Sequence, residues 1–307
     1  MIDLSVVIVN WNVCDLLRRC LHSIFDTQCL TLEVFVVDNA STDGSVEMVR
    51  SEFPGVHLIA NTDNRGFPAA NNQGIAAARG RYVLLLNPDT EVVGGALATL
   101  VAFADAHPDV GMVGPQLLYP DGSVQSSRRR FPTLATAFFE STWLEPYAPR
   151  RLLERYEFLD RSADVVQDVG WLYGAAFMAR REAIERVGPM DEGFFMYSEE
   201  LDWCRMFREA GWRVVYLPAA QIVHHEGKSS EQVTAARHIH FQTSKVRYFR
   251  KYHGRIVAEV LRLFLLCNYV WQLGLEGAKW LVGHKRSLRA ERIAAYRQVL
   301  GSRLQSR

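Results

Sequence analysis

Leu4-Ser5-Val6-Val7-Ile8-Val9 and Glu33-Val34-Phe35-Val36-Val37, with Val13 to Phe25 between them, decide the fold. Both runs are short, rich in β-branched residues and closed by polar turns, so they read as buried strands. The segment joining them carries apolar residues at helical spacing, which makes a βαβ unit and therefore parallel strands. The pattern repeats: Ser45 to Phe53 predicts a helix, Val56 to Ala60 a strand, Ala69 to Arg79 a helix and Tyr82 to Leu86 a strand apolar on both faces. Such alternation predicts an α/β fold, a mostly parallel, Rossmann-like sheet flanked by helices. Ligands of these sheets sit beyond the carboxyl ends of the strands. Three polar clusters follow predicted strands there: Asn10-Trp11-Asn12, Asp38-Asn39-Ala40-Ser41-Thr42-Asp43 and Asn87-Pro88-Asp89.

After Pro108 the chain is broken by Pro115, Pro120, Asp121-Gly122, Pro132, Pro146 and Pro149, so a long, loop-rich connection is expected until patterning resumes near Val169. From about Thr234 to the end the pattern is helical. The 307 residues have 49% hydrophobic and 22% charged content, an ordinary globular composition. The formal net charge of +1 gives no global attraction to nucleic acid, which is not expected as a partner. Five cysteines, Cys14, Cys20, Cys29, Cys204 and Cys267, form no C-x-x-C pair, which argues against a disulfide framework or a structural zinc. The first residues show neither a basic n-region nor a small-residue cleavage pattern, so no signal peptide and a cytoplasmic location are expected.

The polar clusters carry alternative readings. Asp38 closes a strand, and Ser41, Thr42 or Asp43 suits the cap of the next helix; a carboxylate held there can also accept the N3–H of a pyrimidine. No G-x-G-x-x-G follows the first strand, which weakens a dinucleotide reading. The turn Asn64-Arg65-Gly66-Phe67-Pro68-Ala69-Ala70-Asn71 is a capped loop, or a place where glycine and a helix N-terminus receive a diphosphate. Asp89, at the mouth of an apolar strand, is a turn former or an oxygen ligand for Mg2+ or Mn2+. Ser198-Glu199-Glu200-Leu201-Asp202 is a helix start favoured by the dipole, or a source of the carboxylate that deprotonates an acceptor hydroxyl. His224-His225-Glu226-Gly227-Lys228-Ser229-Ser230 contains a structural histidine or a metal or phosphate site. Arg128-Arg129-Arg130 is a solvated loop or a contact for an anionic acceptor.

Taken in order, Val7-Ile8-Val9-Asn10-Trp11-Asn12, Val36-Val37-Asp38-Asn39-Ala40-Ser41-Thr42-Asp43-Gly44-Ser45, Asn64-Arg65-Gly66-Phe67, Asn87-Pro88-Asp89, Gly174-Ala175-Ala176-Phe177-Met178 and Ser198-Glu199-Glu200-Leu201-Asp202 strongly resemble family 2 glycosyltransferases, most nearly the rhamnosyltransferase-like branch. The resemblance covers about residues 3 to 232. It implies a GT-A fold, a nucleotide-sugar-binding and catalytic domain over 1–232 with a helical segment over 233–307, inverting transfer, and a divalent metal, Mn2+ or Mg2+, on the donor diphosphate. Asp38 matches the family's base-binding acid, Asp89 the metal-binding acid of its D-x-D motif, and His224 the histidine that completes the metal site. Asn10, Gly66, Asn71 and Asn87 match donor-side positions. The general base matches Glu200, with Glu199 beside it as the alternative, where the family commonly has Asp. Asn87 replaces the first acid of D-x-D, which leaves Asp89, His224 and the diphosphate to hold the metal. The implied partners are a dTDP- or UDP-sugar and a glycan or lipid-linked acceptor in cell-surface polysaccharide synthesis.

Leu263 to Leu275 lacks charge but is shorter than the roughly 20 residues that span a bilayer, so no transmembrane helix is expected. The apolar stripe with Trp271 and Trp280, followed by Lys285, Arg286, Arg289 and Arg292, suits an interfacial helix on a membrane, or equally a core or homo-oligomer helix. A nucleotidyltransferase and a non-catalytic sugar-nucleotide-binding protein are the competing functions. The first lacks its glycine-rich basic loop, and the acids at Asp38, Asp89 and Glu200 count against the second.

Overall fold

The computed structural model describes residues 2–26, 30–225 and 234–305. The strands are β1 (Leu4–Asn10), β2 (Leu32–Asp38), β3 (His57–Ala60), β4 (Tyr82–Leu86), β5 (Thr90–Val92), β6 (Val110–Leu118), β7 (Val124–Gln125), β8 (Arg128–Arg129), β9 (Gln167–Asp168), β10 (Trp171–Leu172), β11 (Ala176–Arg180) and β12 (Arg213–His224). The helices are α1 (Cys14–Phe25), α2 (Ser45–Glu52), α3 (Phe67–Ala77), α4 (Ala96–Ala106), α5 (Leu134–Phe139), α6 (Arg150–Tyr156), α7 (Arg181–Val187), α8 (Glu199–Glu209), α9 (Thr234–His253), α10 (Arg255–Leu281) and α11 (Arg286–Ser302). Their described residues form two compact units, one from 2–131, 157–192 and 199–225, the other from 132–156, 193–198 and 234–305. The boundary expected between 232 and 233 falls outside the described residues.

In the first unit the main sheet runs β3-β2-β1-β4-β11-β6-β12-β5. The four strands legible as βα repeats, β3, β2, β1 and β4, are mutually parallel. The remainder is mixed, because β11 pairs antiparallel with both β4 and β6. The chain leaves β6 at the carboxyl edge and β11 starts there, with Ala176 opposite Leu86, so no crossover turns it around. Strand β6 lies inside the stretch expected to be irregular. Its pattern is blurred by Gly111, Gly114 and Pro115, each answering to packing. A Cβ at Gly111 would meet Trp212 Cβ at 2.6 Å, and one at Gly114 would meet Leu172 Cδ2 at 2.7 Å. Pro115 lies past the residues that pair with β11, opposite Leu217, where β12 shifts register, a position that tolerates a missing N–H.

The period of two along each strand sends alternate side chains to opposite cores. Val6, Ile8 and Leu84 pack with Leu17 and Leu21 of α1 and Leu97 of α4. Val7, Val83 and Leu85 pack with Ala70 and Ile75 of α3 and Trp203 and Phe207 of α8. Helix α3 sits so close to β1 that a Cβ on Gly74 would collide with Val7 Cγ1. Gly74→Ala is therefore expected to destabilise by about 1–3 kcal/mol despite alanine's better helix propensity. In urea, the midpoint should fall with an unchanged slope; an unmoved midpoint would contradict this packing.

In the second unit α10 packs between α9 and α11, and Glu276 of α10 is held by Arg289 of α11 at 2.6 Å with both side chains buried. Helix α5 meets α10 through the Phe138–Phe264 ring pair, and the Trp143 amide donates to Asn268 Oδ1 at 3.0 Å. The apolar run expected over Leu263–Leu275 is the middle of a 27-residue helix, longer than the charge-free segment suggests. By length and composition alone α10 is sufficient to cross a bilayer.

Candidate active site

The carboxyl ends of β2, β1 and β4 and the start of β11 lie side by side. Asn10 pairs with Asp38 in register, Ile8 with Leu86, and the Asn87 amide donates to the Ala175 carbonyl at 2.8 Å. At about 4.8 Å per strand, the row from Asp38 through Asn10 and Asn87 to Ala175 spans roughly 14 Å. Asp38 and Asn10 are buried, and Asn10 Nδ2 donates to Asp38 Oδ2 at 2.9 Å and to Ser41 Oγ at 3.1 Å. The Ser41 amide donates to Asp38 Oδ1 at 2.8 Å, so the carboxylate is fixed in direction. Asp43 ties the start of α1 to the start of α2 by accepting from the Cys14 and Ser45 amides. Gly66, at φ +84, begins α3, and its carbonyl accepts from Asn39 Nδ2 at 3.2 Å. Asn61, bonded to both Asn39 and Gln73, extends that brace. Asn71 lies buried one turn into α3, and its amide donates back to the Phe67 carbonyl at 2.9 Å. Asn87 is half-buried at the row's centre, and its carbonyl accepts from Thr90 Oγ1.

Asp89 and His224 meet although 135 residues separate them, because β12 pairs with β5 and sets His224 opposite Thr90. His224 Nε2 is 3.4 Å from Asp89 Oδ1, and both side chains are buried. The other ring nitrogen, Nδ1, lies 2.9 Å from Gln125 Oε1. In the tautomer with Nδ1 donating to that oxygen, Nε2 turns its lone pair toward the carboxylate. The 3.4 Å gap exceeds the usual N–H···O range of about 2.7–3.2 Å. A lone pair facing a carboxylate across that gap is a donor set that suits a cation. Among the described residues no group of three or more His, Cys, Asp and Glu side chains gathers to hold a metal. The protein thus offers one carboxylate and one imidazole, leaving the other positions to ligands such as phosphate oxygens, as Mn2+ and Mg2+ accept. His225 is held by Glu91 at 2.8 Å, and its amide donates to the Asp89 carbonyl. The rest of the expected loop, residues 226–230, lies outside the described residues.

Glu199 and Glu200 open α8, after two residues, Tyr197 and Ser198, with left-handed backbones at φ 69 and 63. Both acids are buried, and Oε2 of each has no hydrogen-bond partner among the described residues. Burial drives the Glu200 carboxyl up to about 7, against the pull of the backbone amides of Glu200, Leu201 and Gly174. Glu199 is raised well above the carboxylate range by burial and then by the charge of Glu200. Glu200 packs against Gly174: a Cβ there would stand 3.4 Å from its Oε1, in ordinary contact. Gly174 directly precedes Ala175, which pairs with Asn87, so this acid reaches the same edge as Asp38 and Asp89.

The arginine run is tied into the fold and is not the solvated loop that is one of its two readings. Arg128 is buried and donates to the carbonyls of Ser162, Arg161 and Phe158, Arg129 donates to Ser126, and Arg130 pairs with Asp160 at 2.9 Å. Gln125 and Ser41 are site residues that the sequence did not reveal. Gln125 sits on a two-residue strand within the irregular connection, 99 residues from the histidine it orients. Ser41 was visible only as one of three capping choices.

A sheet with a parallel half, polar residues along its carboxyl edge and a buried acid on a helix start fit a GT-A glycosyltransferase fold, and solved structures match it. A mannosyltransferase from Pyrobaculum calidifontis, solved with GDP-Man and Mn2+, aligns with a TM-score of 0.59 at 20% identity over 99% of this chain and 89% of that one. GalNAc-T7, solved with UDP, GalNAc and Mn2+, aligns at 0.57 and 16% identity over 81% of this chain and 50% of that one. Residues 5–188 match the pattern of glycosyl transferase family 2, and this chain belongs to that family. The N-acetylglucosaminyl-diphospho-decaprenol L-rhamnosyltransferase of Mycobacterium tuberculosis is 32% identical over 238 residues, 74% of this chain and 77% of that one. The protein is therefore a glycosyltransferase of the rhamnosyltransferase-like kind that the motifs suggested, and neither a nucleotidyltransferase nor a non-catalytic binder.

Proposed function

We propose that this glycosyltransferase moves a sugar, rhamnose first among those to be tried, from a dTDP- or UDP-sugar to a hydroxyl of a lipid-linked glycan, with inversion, in cell-surface polysaccharide synthesis. The observation that carries the reading is Glu200, buried, raised to about 7 and unpartnered at one oxygen, on the sheet edge that also carries Asp38 and Asp89. The acceptor assignment is supported by the mycobacterial relative, whose name describes rhamnosyl transfer to a diphospho-decaprenol sugar.

Asp38, fixed by Asn10 and Ser41, accepts the N3–H of the pyrimidine. Gly66, left-handed at φ +84, would let the donor's diphosphate approach the start of α3. Asp89 and His224 would hold Mn2+ or Mg2+, which when bound neutralises the negative charge of the departing nucleoside diphosphate. Glu200 takes the proton of the acceptor hydroxyl as its oxygen attacks the sugar carbon from the face opposite the leaving group, so the anomeric configuration inverts. Burial suits Glu200 to this, since a base near pH 7 both carries the right charge and holds the proton well.

A donor panel with Mn2+ tests the reading through release of nucleoside diphosphate. Pyrimidine donors are expected to turn over at least about tenfold faster than GDP- or ADP-sugars, a discrimination of one good hydrogen-bonded contact, and EDTA should abolish the release. Equal rates with purine donors would remove Asp38 from its role, and full activity in EDTA would remove the metal.

A further inference from the structure

Helix α10 has one side packed between α9 and α11 and the other bare. Ile256, Val260, Leu263, Val270, Trp271 and Leu281 are exposed by 82, 54, 55, 59, 54 and 71%. At 3.6 residues per turn these positions fall within about 100° of one another and form one stripe along the helix, about 40 Å long at 1.5 Å per residue. Trp143 of the preceding segment, itself 39% exposed, stacks obliquely against Trp271 with ring centroids 6.0 Å apart. Paired exposed indoles are the side chains favoured at a membrane–water interface. Cations flank the helix that bears the stripe. Arg255 stands at its start, Lys285 and Arg286 follow its far end, and the Arg286 guanidinium covers the Trp280 ring at 5.3 Å, while Lys279 in the last turn pairs with the buried Glu276 at 3.5 Å.

The charge of the chain is sharply divided. Residues 234–307 hold fifteen Lys and Arg against three Asp and Glu, a balance of +12, while residues 1–233 hold twenty against thirty-one, a balance of −11, and together they give the chain's +1. A stripe of this length on a strongly basic segment matches an anionic lipid surface in both apolar and electrostatic character.

We infer that the exposed stripe of α10, with its basic ends, docks the protein on the surface of an anionic bilayer. The helix lies along the surface and does not span it. Its packed side carries Glu276 and Asn268, and crossing would carry the charged helices α9 and α11 bound to that side into hydrocarbon. The use of this surface rests on the lipid-linked acceptor proposed above, whereas the docking itself is independent of it.

Flotation of the full chain with vesicles of phosphatidylcholine containing one quarter phosphatidylglycerol tests the inference, with pure phosphatidylcholine as control. Binding to the anionic vesicles is expected, and it should fall more than about tenfold from 0.1 M to 1 M salt as the Debye length shrinks from about 10 to 3 Å. The double variant Leu263→Glu, Val270→Glu, both at exposed positions, should lower the bound-to-free ratio at least about tenfold with its circular dichroism unchanged. A second variant, Lys285→Gln with Arg286→Gln, should reduce binding to anionic vesicles and leave the weak binding to neutral ones. Turnover on a water-soluble acceptor should be retained in both, so loss of docking and failure of the glycosyl-transfer reading give different results. Absence of flotation at low salt would overturn the inference. So would light scattering that shows a dimer split by the Leu263→Glu, Val270→Glu variant, since the stripe would then face a second copy.

Discussion

Glu200→Gln is expected to lower kcat by about 10²–10⁴-fold, the range of a general base, while calorimetry finds donor affinity unchanged. Glutamine keeps the shape of the side chain beside Gly174 but cannot take a proton. The parent should show kcat rising with pH through about 7, where the Glu200 carboxyl ionises, and the variant should lack that limb. Stability should move the other way. A carboxyl whose folded pKa lies above its ordinary 4.5 contributes stability that is complete below that value and lost as pH rises through about 7. The variant carries no such charge, so its Tm should equal or exceed the parent's above neutrality and the gap should close toward acid. Glu199→Gln should also gain stability in alkali, with a smaller loss of turnover. If Glu200→Gln turns over normally, the residue is not the base; if Glu199→Gln alone is inactive, the role belongs to its neighbour.

Asp89→Ala is expected to weaken Mn2+-dependent donor binding by more than the 10–100-fold typical of losing even an outer partner of a metal ligand. Asp89 and His224 are the acid and imidazole that meet at this edge, 3.4 Å apart, so in the proposed metal site either loss would leave one protein ligand. Calorimetry of the donor with Mn2+ and with EDTA measures the effect directly. The variant should bind as the parent does in EDTA. Gln125→Leu should produce a milder defect of the same kind, because it frees the ring that Gln125 orients. A variant lacking Asp89 that still binds donor and metal normally would contradict the assignment.

The fold was legible where local pattern and tertiary partner agree. Strand β1 is buried along its whole length and reads as an unbroken apolar run, and helix α1 buries Leu17, Leu21 and Ile24 at helical spacing. Tyr82–Leu86 came out at its observed limits for the same reason. Strand β6 was hidden because glycine and proline serve close packing there, against Trp212 and Leu172, and such residues look like loop in isolation. In the site, residues that end a strand announced themselves as polar groups after apolar runs: Asn10, Asp38 and Asp89. The meeting of Asp89 with His224 had no local signal, since it depends on antiparallel pairing of β12 with β5. Arg128 illustrates the opposite case, for a basic run that reads as a solvated loop buries this guanidinium, which satisfies three backbone carbonyls.

The place of β11 has a consequence for how the protein is made. This late strand fills the gap between β4 and β6, so both earlier strands leave the ribosome with bare flanks. The stretch from Leu86 to Ala176 takes roughly 5–20 s to synthesise at about 5–20 residues per second. Over that interval the edge of β4, joined after Leu118 by that of β6, awaits a partner that has not been translated, and unpaired edges recruit other chains. Slow translation across residues 119–175 prolongs that exposure on both strands, and β6 keeps its second flank bare until β12 follows.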